Sequence, residues 1–448
     1  MTQAAKSIQG ASEIKPLPFY VTFGWGLGSL GVLSLLFVTN ALVLKYAVDV
    51  LGLSALIAGL VAAGCRIFDA LLDPFMGTLS DNTRTRWGRR RPYILLGTFL
   101  CGIASVLIFA APEAISEAML PIYFGFALIF YAVAYTVFNV PYMAMPVEMT
   151  KDRHERTFMF SFRVHAGAIA GLIGGGLAPF LVDWFGGGRS GYASMGIVIG
   201  LFIFAACLAC FILTSKAPVN LEAQADKSPK LSQIKETWKN KPFIWLMVAK
   251  VLVVGGAGIG GSSMAFFATI VLEKSLGWLA YITAGQMIGI MISQFLWLKI
   301  AKRFGKRASF IAAASLYVVA TLTWLTATPE TTEIGVVIRA FAMGICMGGI
   351  MLASQAMLPD TLDHEFELTG VRHEGVLTGI YTTVERGSSA LGVALAGLIL
   401  SAGGYVAGAA AIDQPASAIA AIYASMAVFP SIGMFASACA IWNYRLEG

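Results

Sequence analysis

The chain has 448 residues, of which 57% are hydrophobic and 12% charged, with a formal net charge of +6 and a mean hydropathy of +0.75. Soluble domains carry about 25% charged residues, so a water-soluble enzyme, a nucleic-acid binder and a disordered scaffold are all excluded. Cys65, Cys101, Cys207, Cys210, Cys346 and Cys439 lie in apolar stretches, where cysteine behaves as a small hydrophobe and builds no disulfide framework. The composition is that of a polytopic membrane protein.

Apolar runs of about 20 residues or more, enough to cross a hydrocarbon core of roughly 30 Å, recur along the chain. They lie at 18–46, 54–80, 92–112, 118–147, 160–186, 192–215, 242–272, 278–300, 308–328, 333–358, 376–402 and 416–443, and each reads as a helix. Met1 to Pro16 is polar and the first run is too long for the apolar core of a signal peptide, so no cleavable leader is expected.

The connecting loops alternate in charge. Basic residues crowd the loops after span 2 (Arg84, Arg86, Arg89, Arg90, Arg91), span 4 (Lys151, Arg153, Arg156) and span 8 (Lys302, Arg303, Lys306, Arg307). They also crowd the linker before span 7 (Lys216, Lys227, Lys230, Lys235, Lys239, Lys241). The opposite loops carry Asp49, Glu113, Glu117, Glu330 and Asp413 with little more than Arg189 and Lys274 as cations. Positive loops face the cytoplasm, so both termini and the central linker are expected inside.

Residues 216–241 form the one long polar linker and divide the chain into a six-span half at 1–215 and another at 242–448. The run Lys302-Arg303-Phe304-Gly305-Lys306-Arg307 after span 8 echoes Asp81 to Arg91 after span 2, six spans earlier. Two equivalent six-helix halves are the plan of the major facilitator fold, so the expected class is an all-α membrane protein of twelve transmembrane helices. A channel or a membrane enzyme is the competing reading.

An ionisable side chain in hydrocarbon costs at least about 2.5–3.5 kcal/mol, so each one inside a span calls for a reason. Arg66, Asp69 and Asp73 share one face of span 2 near its middle. Two carboxylates one turn apart repel, and a small hard cation with oxygen ligands relieves that repulsion. The plainer alternative is that Arg66 neutralises one aspartate and the other holds a proton. In span 4, Thr136 and Asn139 share a face and present oxygens beside Pro141, either as ligands or as helix–helix hydrogen bonds. Span 5 opens with Arg163 and His165, and span 11 carries Glu385 and Arg386, the latter placed to grip a substrate oxygen or to pair across the halves. Lys250 and Arg339 read as structural, and the methionines of span 10 (Met343, Met347, Met351) as packing.

Two motifs carry no chemistry. Gly26, Gly28 and Gly31 fit a dinucleotide fingerprint with no strand before them, and Cys207 and Cys210 form a C-x-x-C inside an apolar span.

The run Arg66-Ile67-Phe68-Asp69-Ala70-Leu71-Leu72-Asp73-Pro74, then Gly77 and Thr83-Arg84-Thr85-Arg86-Trp87-Gly88-Arg89 through Pro92, resembles the signature of the glycoside–pentoside–hexuronide cation symporters, the melibiose-carrier-like branch of the major facilitator superfamily. Tyr135-Thr136-Val137-Phe138-Asn139-Val140-Pro141, Arg163 and Asp360-Thr361-Leu362-Asp363 continue the resemblance into both halves, and the sodium-coupled lysolipid carriers look like a distant branch.

The resemblance implies a cation site at Asp69 and Asp73 completed by Thr136 and Asn139, for sodium first and a proton second. It implies a substrate contact at Arg163 and a functional cation at Arg386; Tyr135, Tyr381 and Thr382 are further candidate substrate contacts, and the basic loop offers a gate at Asp81, Arg84, Arg86 and Arg89 alongside its plain role as a topology signal. Asn139 stands where the melibiose carrier has an aspartate, Leu72 where it has an asparagine ligand, and Met143 where a tryptophan would stack on sugar; span 1 around Leu30 lacks that carrier's acidic residue. The expected function is a cation-coupled symporter of a sugar, glycoside or related small solute, acting as a monomer in the bacterial inner membrane with no cofactor beyond the coupling ion. An amphiphile such as a lysolipid, and an uncoupled facilitator or scramblase, are the alternatives. Asp360, Asp363, Glu365, Glu367, Arg372 and Glu374 read as a solvated charge run, with an amphipathic cytoplasmic element as the alternative.

Overall fold

The computed structural model describes residues 17–150, 152–217, 240–369 and 374–445. Most of the central linker, Lys151 and Arg372 lie outside them, and the side chains of Arg153, Glu367 and Glu374 are also outside the described set. No β-strand occurs among the described residues. Twelve helices are long and apolar enough to cross a membrane. They are α1 (Phe19–Val50), α2 (Ala55–Asn82), α3 (Arg91–Phe109), α4 (Glu117–Pro146), α5 (Phe158–Trp184), α6 (Gly188–Leu213), α7 (Lys241–Val271), α8 (Leu276–Phe304), α9 (Lys306–Thr326), α10 (Glu333–Glu365), α11 (Gly379–Ala402) and α12 (Ala416–Trp442).

The ends differ from the apolar runs where polar residues extend a helix. The helix of α5 begins at Arg153, nearly two turns before the expected 160, because its first turn is charged and Glu155 suits the positive end of a helix. The helix of α10 continues past Pro359 to Thr369. In the other direction α3 stops at Phe109, ahead of Pro112.

The helices form two six-helix halves with the same internal packing. In the first, α1 lies on α5 and α6, α3 on α4 and α6, and α2 on α4; in the second, α7 lies on α11 and α12, α9 on α10 and α12, and α8 on α10. The halves meet through α2 against α11 and, equivalently, α5 against α8, with α1 touching α7. Both lead helices finish alike: α1 ends in a π turn at Tyr46–Val50 and α7 in one at Phe267–Val271.

One end of the bundle holds the basic loops and the opposite end the acidic ones. The halves close at the acidic end, where small residues let backbones approach. A Cβ on Gly59 of α2 would lie 3.1 Å from the Gly397 Cα of α11. The Thr283 hydroxyl of α8 donates to the Gly175 carbonyl of α5 at 2.9 Å. At the basic end the ties of Arg90, Lys306 and Asn240 each stay within one half.

Candidate functional site

Asp69 and Asp73 project from one face of α2 toward α4 and α11. Thr136 Oγ1 of α4 donates to Asp69 Oδ1 at 2.7 Å, with Asp73 Oδ1 at 3.3 Å. Arg386 of α11 pairs with Asp73 through Nη1 and stands 3.4 Å from Asp69 Oδ2. Two carboxylates, a hydroxyl and a guanidinium from three helices and both halves therefore meet. Asn139, one turn along α4 from Thr136, is buried with its Oδ1 making no hydrogen bond. A buried amide oxygen without a donor is an acceptor in want of a ligand.

Arg66 does not neutralise either aspartate. Its Nη2 donates to Asn40 Oδ1 of α1 and its guanidinium lies 5.7 Å from the Tyr131 ring centre. The counter-charge comes from Arg386, 317 residues further along from Asp69.

Glu385, the neighbour of Arg386, turns to α7 in its own half. Lys250 Nζ lies 3.0 Å from Glu385 Oε2 and donates to the Tyr381 hydroxyl at 2.9 Å. These three line a cavity of about 270 Å³ with Met347, Met351 and Gln355 of α10. Lys250 thus pairs within its own half at the wall of this cavity, and Arg339 ties α10 to the α9 end through the Thr323 carbonyl and Thr326 hydroxyl. Of the other expected substrate contacts, Tyr135 is buried within Coulombic reach of Arg66, Arg163, Arg386 and Asp69. Thr382 is exposed and spends its hydroxyl on the Gly379 carbonyl of its own helix.

At the basic end Asp81 is held by Arg90 at 2.8 Å. Arg89 and Arg90 both reach the buried Glu148 beyond α4, Arg89 at 2.6 Å. Arg84 and Arg86 are exposed, and Arg86 lies over Trp87. Of the four expected gate residues, Asp81 and Arg89 thus lie in a cluster of ion pairs with Arg90 and Glu148, and Arg84 and Arg86 lie outside this cluster. Its counterpart in the second half is Lys306 with Asp360 of α10 at 2.7 Å.

A second set, overlooked in sequence, shuts the acidic end. Lys45 pairs with Asp49 one turn on and donates to Thr269 Oγ1 of α7 at 2.6 Å. The Tyr405 hydroxyl, from the loop after α11, donates to Asp49 Oδ1 at 2.9 Å. Burial, with the Asp49 carboxylate beside it, raises the Tyr405 phenol above its ordinary value and keeps it a donor. The i,i+4 spacing of Lys45 and Asp49 was the available signal.

The glycine and cysteine motifs without chemistry pack against each other. A Cβ on Gly28 would lie 2.7 Å from Cys210 Sγ, and one on Gly31 2.6 Å from Cys207 Sγ. Glycine here permits a close seam between α1 and α6.

The model of the family described as MFS/sugar transport protein matches residues 24–448. The isoprimeverose transporter of Lactiplantibacillus pentosus is 28% identical over 456 residues, covering 100% of this chain and 93% of that protein. The glucuronide carrier protein homolog of Escherichia coli K12 is 27% identical, covering 94% and 92%, and the inner membrane symporter YicJ of the same organism is 26% identical, covering 88% and 85%. Among solved structures, one described as giving structural insights into substrate recognition in proton dependent oligopeptide transporters superposes with a TM-score of 0.69 at 13% identity, covering 95% of this chain and 98% of that one. A bacterial homolog of the human lysosomal transporter Spinster gives 0.60 at 17% identity, covering 94% and 93%. At these identities the structures speak for the fold alone. Family and named relatives point to membrane transport and not to an enzyme, and the chain belongs to the glycoside–pentoside–hexuronide cation symporter family of the major facilitator superfamily.

Proposed function

We propose that the protein is a cation-coupled symporter of sugars or glycosides in a bacterial inner membrane, working as a monomer by alternating access between its halves. The observation that carries this reading is the meeting of Asp69, Asp73 and Thr136, with the unpartnered Oδ1 of Asn139 one turn further along α4. Two carboxylates, a hydroxyl and an amide oxygen suit a small monovalent hard cation. Arg386 supplies the compensating charge from the second half. A cation arriving at the carboxylates takes over that role and frees the guanidinium, so cation occupancy alters a contact between the halves. Cation and substrate that both favour the closed-over state then raise each other's affinity by the same factor.

The basic end faces the cytoplasm on the positive-inside rule. With the acidic end shut by Lys45, Asp49 and Tyr405, the conformation described is the one that opens inward. The names of the relatives favour a sugar over an amphiphile as the solute, isoprimeverose and glucuronides among them.

The test is uptake of labelled isoprimeverose and of a labelled glucuronide into proteoliposomes, with an imposed sodium gradient, a proton gradient or neither. Accumulation driven by one gradient, and lost in Asp73→Asn, is the expected result. Equal uptake under all three conditions overturns the coupling.

A further inference from the structure

At the basic end of the second half, α9, α10 and α12 leave a cavity of about 410 Å³ between them, away from the helices through which the halves meet. It is lined by Lys306 and Arg307 at the start of α9, Met357 and Asp360 near the end of α10, and Tyr444 and Arg445 just past α12. Lys306 Nζ reaches both oxygens of Asp360 at 2.7 Å, and those two charges offset each other. Arg307 donates through Nε and Nη2 to the Ile441 and Trp442 carbonyls, and neither it nor Arg445 is paired with a carboxylate among the described residues. Three cations against one acid leave two positive charges at the cavity. The side chains of Lys306 and Asp360 are 40% and 33% exposed, so the mouth is open to a ligand and not sealed by their pairing. Lys302 and Arg303, exposed at the end of α8, add to the same positive field.

The rim marks the depth of the cavity in the membrane. Trp442 and Phe304 are largely exposed, and guanidinium groups lie over both rings, Arg307 at 5.3 Å and Arg303 at 5.2 Å. Exposed aromatic residues at the ends of spans sit at the level of the lipid headgroups. A cationic mouth with an apolar wall at Met357 and an aromatic rim suits a molecule that is anionic at its head and apolar behind it, and basic pockets between spans on the cytoplasmic side take phospholipid headgroups. We infer that this cavity binds an anionic phospholipid of the inner leaflet, its phosphodiester received by Arg307 and Arg445 and its acyl chains lying along Trp442. The site belongs to the second half and shares no residue with Asp69, Asp73 or Thr136, so the inference stands whichever ion and solute the carrier couples.

Native mass spectrometry of the purified full-length carrier in neutral detergent tests it, with dioleoylphosphatidylglycerol and dioleoylphosphatidylcholine at equal concentration. The two share their acyl chains and phosphodiester and differ in net charge. A basic residue beside an anionic headgroup is worth about fivefold in affinity, so the first phosphatidylglycerol is expected to bind roughly tenfold or more tightly than phosphatidylcholine. The double variant Arg307→Gln/Arg445→Gln is expected to bring the two lipids close to parity. Arg445→Gln alone, at an exposed position beyond the last helix, is expected to remove part of the preference and serves if loss of the Arg307 contacts unfolds the carrier. Arg84→Gln/Arg86→Gln takes the same charge from exposed residues at the basic end of the other half and is expected to keep the preference. Equal binding of the two lipids by the wild type, or a preference untouched in the Arg445 and double variants, overturns the inference. A preference lost as fully in the Arg84/Arg86 variant also overturns it, by showing a diffuse attraction to the whole basic end. Inorganic phosphate displacing phosphatidylglycerol at equal concentration marks a site for the free anion and does the same.

Discussion

Glu385 and Arg386 are consecutive residues of α11, yet their charges are committed to different halves of the molecule. Arg386 crosses to Asp69 and Asp73 of α2, while Glu385 stays with Lys250 of α7 at 3.0 Å. Successive helical residues point about 100° apart, so one helix serves as counter-ion to its neighbour in the other half and as partner within its own.

Arg386→Gln strands two carboxylates in the membrane. Removing one member of a buried pair costs about 3–5 kcal/mol, and with the Arg386 side chain 29% exposed the lower end of that range is expected. Sodium should then raise the melting temperature of the variant more than that of the wild type. Equal shifts would mean that the guanidinium and the ion do not share a place.

Thr136→Val keeps the shape of the side chain and removes the hydroxyl that reaches both aspartates at 2.7 and 3.3 Å. A hydrogen bond to a charged group contributes about 1.5–3 kcal/mol, so sodium affinity should fall roughly tenfold or more. Titration of sodium-dependent thermal shift measures it.

Asp49→Asn leaves Lys45 buried without its counter-charge and weakens the acceptor of Tyr405. The expected outcome is a larger share of molecules open at the acidic end. Spin labels at Ala114 and Ile412, both exposed at that end and in opposite halves, read it as a longer distance population. The raised phenol of Tyr405 stays protonated through its ordinary range, so its contribution is present below that value and is lost only as pH climbs past the raised one. In the wild type the label distance should accordingly hold constant up to about pH 10.

Gly59→Leu places a side chain where even a Cβ would lie 3.1 Å from Gly397 and 3.2 Å from the Val393 carbonyl. Overpacking costs about 1–3 kcal/mol, and here it falls on the seam between α2 and α11. Transport should be lost while the carrier still inserts, with the same label pair reporting separation at the acidic end.

The spans were legible because twenty apolar residues in a row have few other fates, and their order gave the two halves. The charged first turns of the α5 helix and the polar tail of α10 escaped because hydropathy is blind to helix that continues beyond the bilayer. Asp69, Asp73 and Thr136 could be named from spacing within α2 and α4. Arg386 could not be assigned to them, since a contact across 317 positions leaves no periodic trace. The partner of Lys250 could not be named for the same reason: Glu385 lies on a helix that sequence spacing does not connect to α7.

The clasp at the acidic end is mounted on irregular winding. Asp49 lies in the π turn Tyr46–Val50 and Thr269 in the matching turn Phe267–Val271. Such a turn stores one surplus residue, and returning it to ordinary α winding swings the residues beyond it by about 100°. Lys45 sits just ahead of the first turn and Asp49 inside it, so a local rewinding re-aims Asp49 relative to Tyr405 while the long helices barely stir. The latch has its own spring, coiled into the backbone on either side of it.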